Sequence, residues 1–132
     1  MRTFVDTNVF LRFIDGDKDS IAFFKMVKSG VRTFWVQAVV VSELIWVLRT
    51  SYGWSVAEVV EVVESFVRTK NLKLVTKCRV PEALRMYREK NVKYNDCVIV
   101  SAMERGDRIV SLDHEFDRFE GIKRVEPRDL IG

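Results

Sequence analysis

Four acidic residues stand where local pattern makes an acid conspicuous. Asp6 ends the apolar-rich run Met1-Arg2-Thr3-Phe4-Val5, and Asp113 ends the run Arg108 to Leu112. Glu43 has Val39, Val40, Trp46 and Val47 three and four positions away, so it falls on the apolar face of a helix. Asp96 shares a face with Ile99, Val100 and Met103. Each has an ordinary reading: an Asp after a strand caps a helix or opens a turn, Glu43 makes a buried ion pair, and Asp96 favours a helix's first turn. Gathered at one place they mean something else. Two carboxylates about 5 Å apart repel by roughly 3 kcal/mol at an effective dielectric near 20. The pairs among four would rival a domain's whole stability, about 5–15 kcal/mol. Such a cluster needs cations, and hard oxygen donors without Cys or His point to Mg²⁺ or Mn²⁺. One or two such ions suit phosphodiester hydrolysis, activating water and steadying the leaving oxygen.

The elements that must position these acids alternate. Strands are expected over Met1–Val5, Val31–Val36, Leu72–Val75, Arg108–Leu112 and Ile122–Val125. Between them fall helices over Ser20–Lys28, stopped by Gly30, and Ala38–Thr50, closing toward Gly53. Ser55-Val56-Ala57-Glu58 is a capping box opening a helix whose apolar stripe is Val56, Val59, Val60, Val63 and Val67. Pro81 opens a helix carrying Ala83, Leu84 and Tyr87, and another runs from Tyr94 to Arg105, stopped by Gly106. This alternation predicts an α/β fold with a parallel sheet covered on both faces. Ligands then bind beyond the carboxyl ends of the strands, where Asp6 and Asp113 lie. Trp35 and Trp46 read as core, Tyr52 and Trp54 as exposed, Cys97 as a small buried hydrophobe and His114 as surface.

Composition bounds the reading. The 132 residues fit one domain, 1–132, and 48% apolar with 31% charged residues is neither disordered nor fibrous. No apolar run approaches the roughly 20 residues of a membrane span, and Asp6 comes too early for a signal peptide. A cytoplasmic protein without membrane association is expected. Cys78, Cys97 and the single His114 exclude a zinc site of standard spacing and do not make a disulfide framework. The net charge of +3 is uneven: residues 68–93 hold nine basic side chains against Glu82 and Glu89, a local +7, and the remainder carries −4.

The acidic motifs resemble those of the PIN-domain ribonucleases, most closely the VapC-type toxins of toxin–antitoxin pairs. Val5-Asp6-Thr7-Asn8-Val9-Phe10-Leu11 is similar to the family's first motif, and Ser42-Glu43-Leu44-Ile45-Trp46-Val47-Leu48 to its second. Asn95-Asp96-Cys97-Val98-Ile99 resembles the third, and Ser111-Leu112-Asp113 followed by Glu115-Phe116 the fourth, with Ser for the usual Thr and Glu for an Asp. The order and spacing agree over nearly the whole chain. The resemblance implies a three-layer α/β/α sandwich. It implies that Asp6, Glu43, Asp96 and Asp113 bind metal and catalyse, with Glu115 a fifth candidate ligand and Thr7, Asn8 and Ser111 supporting them. Asp117 reads as surface. The implied activity is a Mg²⁺- or Mn²⁺-dependent endoribonuclease, a toxin that dimerises and is silenced by a small VapB-like antitoxin.

With RNA as substrate, the +7 stretch suits phosphate neutralisation, and Arg85, Arg88 and Lys93 are its candidate contacts; a solvated basic helix face is the plain alternative. Two other readings stand beside this one. A non-catalytic RNA- or protein-binding PIN module would keep the basic strip and lose acids. A phosphoacceptor receiver domain would show a consecutive acid pair, whereas Asp6 is followed by Thr7-Asn8.

Overall fold

A computed structural model of the chain describes residues 1–131. Five short strands form one parallel sheet: β1 (Thr3–Val5), β2 (Phe34–Gln37), β3 (Leu72–Val75), β4 (Arg108–Val110) and β5 (Lys123–Val125). Their spatial order is β3-β2-β1-β4-β5. The central strand is buried along its whole length, as the run Thr3-Phe4-Val5 requires of a strand covered on two faces. Phe4 pairs with Trp35 on one side and Ile109 on the other. The chain thus winds away from β1 in both directions, and a crevice opens at the carboxyl end of β1.

The helices are α1 (Thr7–Ile14), α2 (Lys18–Lys28), α3 (Ala38–Thr50), α4 (Val56–Val67), α5 (Val80–Lys90) and α6 (Tyr94–Ser101), with a 3₁₀ turn over His114–Arg118. Right-handed crossovers put α1 to α4 on one face and α5 with α6 on the other, giving the expected three layers. The first face is cemented by phenylalanines. Phe10, Phe24 and Phe66 meet at centroid separations of 5.1, 4.8 and 5.6 Å, and Phe13, Phe23 and Phe34 extend the cluster.

Several elements depart from expectation. Residues 7–14, not anticipated as regular, form α1, because Asp6 caps them by accepting from the Thr7 backbone N–H at 2.8 Å. In α4 the core takes Val59, Val63 and Phe66, and leaves Val56, Val60 and Val67 exposed. The helix is apolar on two stripes, and the one bearing Phe66 wins because Phe10 and Phe24 pack on it. Trp46 is 66% exposed rather than core, since α3 turns Val40, Leu44 and Leu48 inward. Tyr52 and Trp54 are half-buried rather than exposed, and the Tyr52 hydroxyl donates to Asp15 at 2.7 Å. Helix α6 stops at Ser101, short of Arg105. The carbonyls at its end and just beyond are taken by guanidinium groups: Arg79 donates to Ser101 and Met103, and Arg2 to Ala102.

The capping box at Ser55 forms as read, with Glu58 N–H donating to Ser55 Oγ at 3.1 Å and Ser55 N–H to Glu58 Oε1 at 2.9 Å. Ser55→Ala should lower stability by about 1 kcal/mol. Urea denaturation will show this as a lower midpoint at unchanged slope.

Candidate active site

Asp6 emerges from β1 into the crevice and is 4% exposed. Its backbone N–H continues the sheet by donating to Val110 O at 3.0 Å, which fixes where the side chain starts. Three further donors converge on the carboxylate. Thr7 N–H is on Oδ1; Ser111 Oγ at 2.7 Å and Asn8 Nδ2 at 3.1 Å are on Oδ2. Ser111, the residue directly after β4, is held in turn by its own N–H to Val125 O at 2.9 Å. Asn8 also donates to Ser111 Oγ, and its Oδ1 accepts from Leu112 N–H. Thr7 turns its hydroxyl the other way, donating to Glu43 Oε1 at 3.0 Å. Glu43 is half-buried in α3, whose N-terminus is capped by Gln37 accepting from Val39 N–H at 2.6 Å.

Asp96 lies in the first turn of α6, 4% exposed, and its Oδ2 is buried without any hydrogen-bond donor. Asp113 caps the 3₁₀ turn by accepting from Glu115 N–H, and its own N–H donates to Ser111 Oγ at 2.9 Å. The four acids act on one another electrically. Burial raises the Asp6 carboxyl to about 6, against the opposing bonds from Ser111 and Thr7, with Glu43 and Asp113 pushing it further up. Burial raises Asp96 to about 7, helped by the charges of Asp6, Asp113 and Glu43 and opposed by Lys93.

The structure therefore brings Asp6, Glu43, Asp96 and Asp113 to one sheet edge, with Thr7, Asn8 and Ser111 between them. Glu115 joins them through its backbone N–H to Asp113, while its Oε2 is buried without a hydrogen bond, 3.6 Å from Arg118. His114 is on the surface as read, and Cys97 is fully buried. Arg85, one of the candidate phosphate contacts, is bridged to Glu82 and Glu89 on its own helix, whereas Arg88 and Lys93 are exposed. Sequence reasoning missed Gln37 and, on β5, Arg124, which reaches the Ser111 carbonyl.

The donor set suits a hard cation. It is entirely oxygen, four carboxylates lie within electrostatic reach of one another, and a buried carboxylate oxygen without a donor calls for a cation or a proton. Among the described residues no three acids, histidines or cysteines converge closely enough to share one ion directly.

The sequence matches the PIN domain family over residues 3–122, a span that takes in all four acids. The chain belongs to the PIN domain family. The PIN fold is also seen in three solved structures. A chain of VapBC2 from Rickettsia felis, bound to a DNA fragment from the promoter, superposes with a TM-score of 0.73 at 15% identity, covering 96% of this chain and 98% of that one. DNA-bound VapBC from Salmonella typhimurium gives 0.68 at 18% identity, covering 96% and 98%. A toxin–antitoxin complex from Klebsiella pneumoniae gives 0.65 at 11% identity, covering 95% and 97%. Among curated proteins none matched significantly in sequence. In this PIN domain no described helix is long and apolar enough to cross a membrane.

Proposed function

We propose that this PIN domain is a divalent-metal-dependent endoribonuclease, the VapC-type toxin of a toxin–antitoxin pair, acting in the cytoplasm. The observation that carries the activity is the donorless Asp96 Oδ2 facing the charges of Asp6, Glu43 and Asp113 at the sheet's switch point. Those four residues would hold Mg²⁺ or Mn²⁺, with Glu115 the nearest further acid in sequence. A divalent ion held there would supply Lewis-acid charge and a water of lowered pKa. The chain's own part is orientation. Ser111, Asn8 and the Thr7 N–H fix both oxygens of Asp6, and the Thr7 hydroxyl fixes Glu43. Asp96 Oδ2 is the oxygen free to take a proton. Lys93 is near enough for its charge to act on Asp96, and the exposed Arg88 and Lys93 would suit the phosphates of RNA.

Two observations favour a protein partner of the antitoxin kind. The structural neighbours are VapBC and toxin–antitoxin complexes. Helices α3 and α4 leave Ile45, Trp46, Val56, Val60 and Val67 exposed, apolar surface of the sort a partner or a second copy covers. The test is cleavage of RNA by the purified protein with Mn²⁺ or Mg²⁺ and with EDTA. Metal-dependent products bearing 5′-phosphate and 3′-hydroxyl ends are expected; activity undiminished in EDTA would exclude this chemistry. The complete acid set speaks against a non-catalytic module, and a Mn²⁺ titration separates the two readings. Ser111→Ala, which removes the 2.7 Å bond to Asp6, should cost about 10–100-fold in activity or metal affinity. Mn²⁺ dependence of the cleavage rate will measure it.

A further inference from the structure

The loop bearing Asp113 leaves β4 at Ser111 and comes back to β5 after the 3₁₀ turn. A single guanidinium spans it. Arg124 lies on β5 opposite Ile109, and its side chain is only 11% exposed. Nη1 donates to the Ser111 carbonyl at 3.0 Å and to Glu126 Oε2 at 3.2 Å. Nε donates to Asp117 Oδ1 at 3.0 Å. Nη2 is 3.1 Å from His114 Nδ1, and that nitrogen is 3.2 Å from Asp117 Oδ2. Ser111 precedes Asp113, and His114 and Asp117 follow it, so both flanks of the acid are tied to one rigid plane.

The tie runs straight to the reacting end of the molecule. The Ser111 residue that Arg124 grips by its carbonyl is the one whose hydroxyl donates to Asp6 and accepts from Asp113 N–H. The fork geometry matters, because a planar guanidinium serves a carbonyl, two carboxylates and a ring nitrogen in fixed directions, which a lysine ammonium cannot reproduce. Asp117 and Glu126 also compensate the arginine's charge locally. Asp117 is thereby committed to the brace.

We propose that Arg124 is a positioning residue that sets Asp113 and Ser111 for metal binding, with Asp117 as its counter-charge and not a ligand. This rests on the metal-nuclease reading. The probe is Mn²⁺ alone, titrated calorimetrically into the full chain and into R124K, D117N and the double variant. R124K should bind Mn²⁺ about 10–100-fold more weakly, with cleavage recovering at saturating Mn²⁺. D117N should weaken binding in the same direction. The double variant should be no weaker than R124K, because both changes cut one tie; independent ligands would add. R124K that binds Mn²⁺ as tightly as wild type, or additive effects, overturns the proposal. If R124K does not fold, D117N decides: wild-type affinity there overturns it too. Wild-type protein that binds no Mn²⁺ overturns the nuclease reading and this one together, whereas wild-type binding with unaltered variants overturns this one alone.

Discussion

Asp6→Asn should reduce RNA cleavage by about 10³-fold or more while leaving the fold intact. The substitution is nearly isosteric. Its Oδ1 can still accept from the Thr7 N–H and cap α1. What goes is the negative charge at the carboxyl end of β1, and the oxygen shared by Ser111 and Asn8 becomes an amide facing two donors. Removing one oriented polar group from a catalytic site costs about 10²–10³ in rate, and here the charge proposed to hold the cation is lost as well. A factor of 10³ is about 4 kcal/mol of transition-state stabilisation. The check is kcat/KM on an RNA substrate at saturating Mn²⁺, with circular dichroism to confirm the fold. Cleavage within tenfold of wild type would remove Asp6 from the mechanism.

Without metal, the stability of the fold should depend on pH. In the folded chain Asp6 titrates at about 6 and Asp96 at about 7, both above the carboxylate value of an unfolded chain, about 3.9. Between those values the folded state holds more protons than the unfolded state, so stability falls as pH rises. The loss begins above about pH 4 and is complete once pH passes the folded value of about 7 for Asp96. Its size is on the order of 3 kcal/mol for Asp6 and about 4 kcal/mol for Asp96. In EDTA, Tm should therefore drop from pH 5 to pH 8. Asp96→Asn should melt higher than wild type at pH 8 and show a flatter pH dependence. Added Mn²⁺ should raise Tm most at pH 8, where the carboxylates are ionised. Thermal unfolding at the two pH values decides it: a Tm that is flat or rising with pH in EDTA contradicts the electrostatic account of the site.

Much of this architecture is legible in the residues because the acids interrupt or terminate apolar runs. Asp6 and Asp113 are conspicuous after strands, and Glu43 and Asp96 on helices whose neighbours are Val, Ile and Leu. The alternation of elements leads to a parallel sheet, and the sheet leads to its carboxyl edge. What escapes notice is where local signals compete. Thr7 to Ile14 is rich in β-branched and aromatic residues of mediocre helix propensity, so only the cap supplied by Asp6 betrays α1. Helix α4 offers two apolar stripes, and the choice between them is made by phenylalanines elsewhere in the chain. Trp46 follows the same logic in reverse, a large apolar side chain on the outer side of a helix whose inner side is already filled. Arg124 was illegible for a different reason. Its partners lie before and after it on separate elements, and nothing in its immediate neighbours marks it as buried.

Placing β1 between β2 and β4 has a consequence in time. The central strand is made first, yet its β4 neighbour comes only when residues 108–110 have been synthesised. Asp6 Oδ2 has Asn8 close by in sequence but waits for Ser111 to receive its shorter bond, and the Ser111 carbonyl waits for Arg124. A chain still emerging from the ribosome thus carries three of the four acids without the edge that assembles them. That edge closes only after residues 111 and 124 have both been made.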